Sequence, residues 1–287
     1  MCRLFGMSAA PRRVRATFWL LEAPDSLARQ SRREPDGTGL GTFTAAGAPE
    51  VDKHPVAAYQ DRAFVEDARQ RASTTFLAHV RYASAGAAVP RDTHPFQQRG
   101  RLFAHNGVIG DLAALDAELG EHRDLVVGDT DSERFFALIT RRVESRGGDV
   151  AAGIADAVRW LADAVPVLAL NLVLTTATEL WALRYPETHG LHVLARTRGG
   201  PHGDRHLDHA SPAGRIRTRC GELARHPAVV VASERMDEDP GWRALRPGEL
   251  LHVDERLRVR SRDVLSGAPR HRLTPEQLDP RAAASQA

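Results

Sequence analysis

Strands at both ends of the chain with amphipathic helices between them predict an α+β protein. The 287 residues are 42% hydrophobic and 26% charged, ordinary for a folded protein and enough chain for one large core or two small ones. No internal repeat or linker divides the sequence. Residues 1–267 are therefore expected to form one domain. Residues 268–287 are polar, Pro-bearing and without periodicity, and are expected to be a flexible tail.

The composition excludes several function classes. Formal net charge is only +2, which does not call for a nucleic-acid partner. The two cysteines, Cys2 and Cys220, lie far apart, which fits neither a structural zinc site nor a disulfide framework and suits a reducing cytoplasm. No apolar run reaches the ~18–20 residues of a membrane span. Arg12, Arg13 and Arg15 follow the apolar start instead of preceding it, unlike a signal peptide.

Taken in order, Cys2 to Ala9 alternates loosely and reads as a strand stopped by Ala10-Pro11. Thr17 to Leu21 is apolar and expected to be helical, and Ser26 to Gln30 makes a second short turn. Asp36 to Phe43 carries Gly37, Gly39 and Gly41 but no Walker lysine, so it reads as a strand packed closely on a neighbour. Asp61 to Arg71 reads as a surface helix leading into the buried strand Thr75 to Tyr82. Arg81, near the end of that strand, is costly to bury without an anion, so it is paired internally or aimed at a ligand. Thr93-His94-Pro95-Phe96 reads as a turn. Arg101 to Ala104 starts another strand that runs into His105-Asn106-Gly107, where Asn-Gly suggests a tight hairpin turn.

Asp111 to Leu119 is a short helix. Thr130 and Glu133 have capping-box spacing ahead of an amphipathic helix bearing Phe135, Phe136, Leu138, Ile139 and Val143. Asp131 has no such structural duty, and serves either the helix dipole or a site. Val150 to Val165 is a second amphipathic helix. Val167 to Leu174 and Leu180 to Tyr185 form a hairpin, followed by strands at Leu191 to Ala195 and Val229 to Ala232. A last hairpin spans Leu250 to Val259. Residues 196–226 are rich in Arg, His, Gly and Pro and read as a basic loop. Its His202, His206 and His209 sit among Gly and Pro in that loop and do not argue for a metal.

The start of the chain carries the chemistry. A cysteine at position 2 is small enough for Met1 to be trimmed, which leaves a thiol and a free α-amine on one residue. That amine has a reference pKa of about 7.7–8.0, so part of it is neutral near pH 7 and can take the thiol proton. Taken alone, Cys2 is more readily read as a half-buried cysteine opening a strand.

Cys2, the strand ending His79-Val80-Arg81-Tyr82-Ala83-Ser84, Thr93-His94-Pro95-Phe96, His105-Asn106-Gly107 and Thr130-Asp131-Ser132-Glu133, in this order, resemble the class II glutamine amidotransferases. The likeness spans at least residues 2–143. With Ser233-Glu234 before Trp242 it resembles the single-domain branch that includes the γ-glutamyl hydrolases of ergothioneine biosynthesis. The resemblance implies a four-layer αββα sandwich of the N-terminal nucleophile hydrolase type. It implies that Cys2 attacks a γ-glutamyl carbonyl to form a thioester, with Asn106 and Gly107 as the oxyanion hole. Arg81 would hold the substrate α-carboxylate and Asp131 its α-ammonium, with Ser84 and His105 also on the substrate side.

The resemblance implies no cofactor and no metal. The substrate would be glutamine or a γ-glutamyl small molecule. An alternative is a glutaminase subunit that delivers ammonia to a separate synthase. A binding protein that keeps the fold without catalysis is a further alternative, against which stands the presence of Cys2, Arg81, Asn106, Gly107 and Asp131 together. Acylases with an apolar acyl group would have no use for the Arg81/Asp131 pair.

Overall fold

The alternating start of the chain becomes β1 (Arg3–Ser8). The computed structural model describes residues 2–81, 89–198, 208–210, 217–219, 225–284 and 286. After β1 come a π-helical turn (Phe18–Glu22), α1 (Leu27–Gln30) and the antiparallel pair β2 (Gly37–Phe43) and β3 (Pro49–His54). Helix α2 (Arg62–Gln70) leads into β4 (Thr75–Arg81), and β5 (Phe96–Gln98) is followed by β6 (Arg101–Ile109). Three helices follow, α3 (Leu112–Leu119), α4 (Asp131–Ser145) and α5 (Val150–Ala164). Next are β7 (Pro166–Thr175), β8 (Leu180–Leu183), β9 (His192–Arg196) and the separate pair β10 (Asp208–Ala210) and β11 (Arg217–Arg219). The chain continues through β12 (Ala228–Ala232), β13 (Arg243–Ala244), β14 (Glu249–Val253), β15 (Val259–Asp263), β16 (His271–Arg272) and α6 (Pro280–Ala284).

Two seven-stranded sheets result. One has the order β13-β9-β12-β1-β4-β2-β3, the other β15-β14-β8-β7-β6-β5 with β16 beside β7. The side-chain period of two then sorts residues into layers. From β1 and β4, Phe5, Met7, Phe76, Ala78 and Val80 pack with Trp19, Leu27 and Phe64 of the helical layer outside the first sheet. Leu4 and Leu77 point the other way and meet Leu102, Ala104 and Val173 of the second sheet. Phe103, Leu172 and Leu174 face outward again, against Phe135, Ile139 and Leu161 of α4 and α5. Three apolar clusters separating helix, sheet, sheet and helix make the expected αββα sandwich. Full burial of each large side chain stabilises it by about 1.5–3 kcal/mol.

The local readings hold where hydrophobic period decides. Thr130 caps α4, its Oγ1 accepting from Glu133 N–H at 3.2 Å. The Glu133 carboxylate takes the Gly128 N–H at 2.6 Å instead of closing a capping box. Other readings need correction. Asn106-Gly107 is not a hairpin turn but lies inside β6, paired with Asn171 and Leu170 of β7. The helix expected at Thr17–Leu21 is a single π-helical turn, and β3 was not foreseen. The segment from 268 is not frayed along its length: His271 and Arg272 pair in parallel with Pro166 and Val167, and Ala282 of α6 is buried. Cys220, His202 and His206 lie outside the described residues. Among the described residues no helix is long and apolar enough to cross a membrane.

Candidate active site

Cys2 stands one residue before β1, on the face shared by Leu4, which looks into the gap between the sheets. Its neighbour Arg3 points the opposite way and is held by Glu34 at 3.5 Å and Glu234 at 2.7 Å. Ser233 fixes the strand start from the side: its Oγ accepts from Leu4 N–H at 2.9 Å and its N–H donates to Leu4 O at 3.1 Å. Cys2 is thus delivered by backbone anchors on both sides of the strand.

The other sequence-derived candidates come from the neighbouring strands. In β4, Leu4 is opposite His79 and Arg3 opposite Val80, so continuing the register sets Cys2 level with Arg81. From the facing sheet, Asn106 follows Leu102 and Ala104 on the inter-sheet face of β6, and its Nδ2 donates to the Cys2 carbonyl. Gly107 has φ +153°, and a Cβ there would lie 1.8 Å from Ala169 O, so only glycine fits. Asp131 opens α4, and its carboxylate is oriented by two backbone donors, Ile109 N–H and Ser132 N–H, each at 2.8 Å. Cys2, Arg81, Asn106, Gly107 and Asp131 line one cavity of about 60 Å³. It adjoins an outer cleft of about 610 Å³ that shares Arg81, Gly107 and Asp131 with it. Ser84 lies outside the described residues.

His105 borders the cavity but points mainly to the helical side. Its Nδ1 is 3.0 Å from Ser132 Oγ and its Nε2 3.1 Å from Ala169 O. Burial, partly opposed by the nearby Asp131 carboxylate, lowers its pKa and favours the neutral ring. A carbonyl can only accept, so Nε2 carries the proton and the bare Nδ1 faces the Ser132 hydroxyl, which also lies 3.3 Å from Asp131 Oδ1. Both nitrogens are thereby engaged with the protein, and His105 ties β6 to the head of α4 beside Asp131.

Two histidines given no role from the sequence also line the wall, as does Asp92. His79 and His94 line the same cavity, with ring centroids 4.3 Å apart. Among the described residues none of their four ring nitrogens has a hydrogen-bond partner. Burial, with Arg81 and His105 adding to it, pushes the His79 pKa down to about 3. Burial, then His79 and His105, takes His94 well below its ordinary value. Both rings are neutral at neutral pH, so the cationic groups at the cavity are Arg81 and any charge Cys2 itself carries. His94 is seated by β2: a Cβ on Gly39 would lie 1.9 Å from His94 O, which explains the glycines read there as close packing. His79 was legible in principle, two residues before Arg81 and so on the same strand face.

Among the described residues no group of three or more His, Cys, Asp or Glu side chains is placed to hold a metal ion. A separate groove of about 450 Å³ runs along α2 past Tyr59, Glu66 and Arg69, and among the described residues no cysteine, serine or threonine lines it.

Comparison with known proteins agrees with this geometry. The sequence profile of the family described as glutamine amidotransferases class-II matches residues 1–265. The chain is 27% identical over 264 residues to a γ-glutamyl-hercynylcysteine sulfoxide hydrolase of Mycolicibacterium smegmatis, covering 88% of this chain and 96% of that protein. It is 26% identical over 278 residues to the putative glutamine amidotransferase YafJ of Escherichia coli, covering 90% of this chain and all of the other. A solved glutamine aminotransferase class-II domain protein from Silicibacter pomeroyi superposes with TM-score 0.59 at 20% identity, covering 91% of this chain and 99% of that one.

Proposed function

The chain belongs to the class-II glutamine amidotransferases, and on that premise we propose that it hydrolyses a γ-glutamyl amide through a thioester on Cys2. The observation that carries the reading is the meeting of a thiol, a guanidinium and a carboxylate at one cavity, contributed by the residue before β1, by β4 and by α4. A free amino-acid head group has one carboxylate and one ammonium. Arg81 suits the first as a planar fork and Asp131 the second.

In this mechanism Met1 is removed and the Cys2 α-amine takes the thiol proton. Sulfur adds to the γ-carbonyl, and the resulting oxyanion is held by Asn106 and the Gly107 N–H. The Asn106 amide has two hydrogens and one is engaged by the Cys2 carbonyl, which leaves the second for the oxyanion. Such a donor contributes about 3–4 kcal/mol to lowering the barrier. The proton passes to the leaving amine as the C–N bond breaks. Water then attacks the thioester, glutamate departs and the thiol is restored. No cofactor is required by any step. His105 acts here as a positioning residue for Asp131.

Hydrolysis of a γ-glutamyl amide is favoured over delivery of ammonia to a synthase by the outer cleft. Its roughly 610 Å³ lies within the range of small-molecule pockets and accommodates a leaving group larger than ammonia. The likeness to the Mycolicibacterium hydrolase supports an ergothioneine-type substrate as the leading example. The test is to incubate the protein with glutamine and with γ-glutamyl amides of increasing leaving-group size while measuring glutamate. The reading expects kcat/KM to rise from glutamine to the larger amides. A preference for glutamine, enhanced by a partner synthase, would favour the ammonia-delivering alternative, and no glutamate from any substrate would defeat both.

A further inference from the structure

Residues beyond the family-matched region reach the nucleophile. The profile match ends at residue 265. Yet Asp279 and Ala282 line the outer cleft, and Gln286 lines the inner cavity together with Cys2. The path to that position is anchored step by step. Arg270 N–H donates to Ala162 O at 2.8 Å, β16 runs beside the start of β7, and Leu273 N–H donates to Val167 O at 2.9 Å. Arg272 pairs with Glu187 at 2.6 Å. Asp279 then starts α6, its Oδ1 accepting from Ala282 N–H at 3.0 Å. At the far end Gln286 Oε1 lies 3.0 Å from Nε2 of the buried His189. The His189 carbonyl in turn accepts from Asn171 Nδ2 at 3.3 Å, and Asn171 is the cross-strand partner of Asn106.

We propose that Gln286 is an intrachain occupant of the acyl pocket, so that substrate must displace this C-terminal segment, whose described residues are 279–284 and 286, to reach Cys2. The inference rests on the reading of this pocket as a γ-glutamyl site. The chemistry matches, since the side chain of Gln286 ends in the same carboxamide as the substrate side chain. The size also matches. With the segment in place, about 60 Å³ remains beside Cys2, room for a few waters and far below the roughly 300 Å³ at which small-molecule pockets begin. A pocket that is open only part of the time binds its ligand more weakly by the open fraction.

The test is alkylation of Cys2 by iodoacetamide in the full chain, followed by peptide mass spectrometry that separates the Cys2 adduct from that of Cys220. Gln286→Ala is expected to speed Cys2 alkylation about fivefold or more, the factor that one net hydrogen bond provides. It should also lower KM for the best γ-glutamyl amide by a similar factor. Gln286→Glu keeps the reach and an acceptor for His189, and its alkylation rate should lie closer to wild type. Unchanged alkylation in Gln286→Ala would overturn the proposal. So would a raised KM, which would make the segment a wall that holds substrate. Alkylation needs no substrate, so it decides occupancy even if no γ-glutamyl amide is turned over, in which case the functional reading fails by itself.

Discussion

The side-chain amide of Asn106 donates to the backbone carbonyl of Cys2, joining β6 of one sheet to the residue that leads into β1 of the other. Two residues 104 positions apart in sequence are thereby placed within one hydrogen bond, and the reacting carbonyl is expected between them. Asn106→Ala should lower kcat about 10²–10³-fold, as loss of one oxyanion donor does elsewhere. Its Cys2 should still be alkylated by iodoacetamide. Wild-type kcat in this variant would remove Asn106 from the oxyanion hole.

Gly107 tests the strand geometry. Alanine there would have to leave φ +153° and clear Ala169 O, so β6 and β7 would have to separate locally. Gly107→Ala should lose more than about 2 kcal/mol of stability in urea unfolding. An unaltered unfolding midpoint would mean that the pairing of these strands tolerates a side chain at the site.

These two positions also show what could be read from the sequence. That the strand ending at Arg81 is buried was legible from its apolar run; which layer each side chain enters was not, because both faces of β1 and β4 are buried. Asn106-Gly107 misled because a local turn preference was outweighed by pairing with Asn171 and Leu170 of β7, far along the chain, which no local pattern reveals. His79 and His94 each stand in a motif that carries the resemblance, yet the resemblance assigns neither a role. Their rings meet at a tilt where Gly39 lets the His94 backbone approach β2. The segment after residue 268 has no period to read, and what seats it is backbone pairing and capping.

Arg81 and Asp131 predict the response to a trimmed substrate. A γ-glutamyl amide without its α-amino group should lose most of its kcat/KM with wild type and much less with Asp131→Asn, because that contact is already gone. Asn at 131 can still accept one backbone N–H but not both, so unfolding should be followed in parallel. Simply additive losses would indicate that Asp131 only orients Ile109 and the head of α4.

Acid should weaken the fold through His79. Its folded pKa, about 3, lies below the unfolded value of about 6.5, so between these limits the unfolded chain binds the extra proton. The neutral ring's contribution is complete above about pH 6.5 and is lost as pH falls towards 3, by about 1.4 kcal/mol per pH unit. His79→Phe keeps a ring but cannot titrate. Urea unfolding from pH 7 to 4 should show a shallower decline for this variant than for wild type. Parallel declines would mean that His79 gains its proton without unfolding.

The central claim is a γ-glutamyl thioester on the thiol of a trimmed N-terminus. Intact-mass spectrometry of acid-quenched protein, mixed with its best γ-glutamyl amide, tests it directly. The account predicts protein lacking Met1, a γ-glutamyl adduct mapped to Cys2 that disappears as glutamate forms, and no adduct in Cys2→Ala. Turnover with Met1 retained, or with the adduct on Cys220, would contradict it.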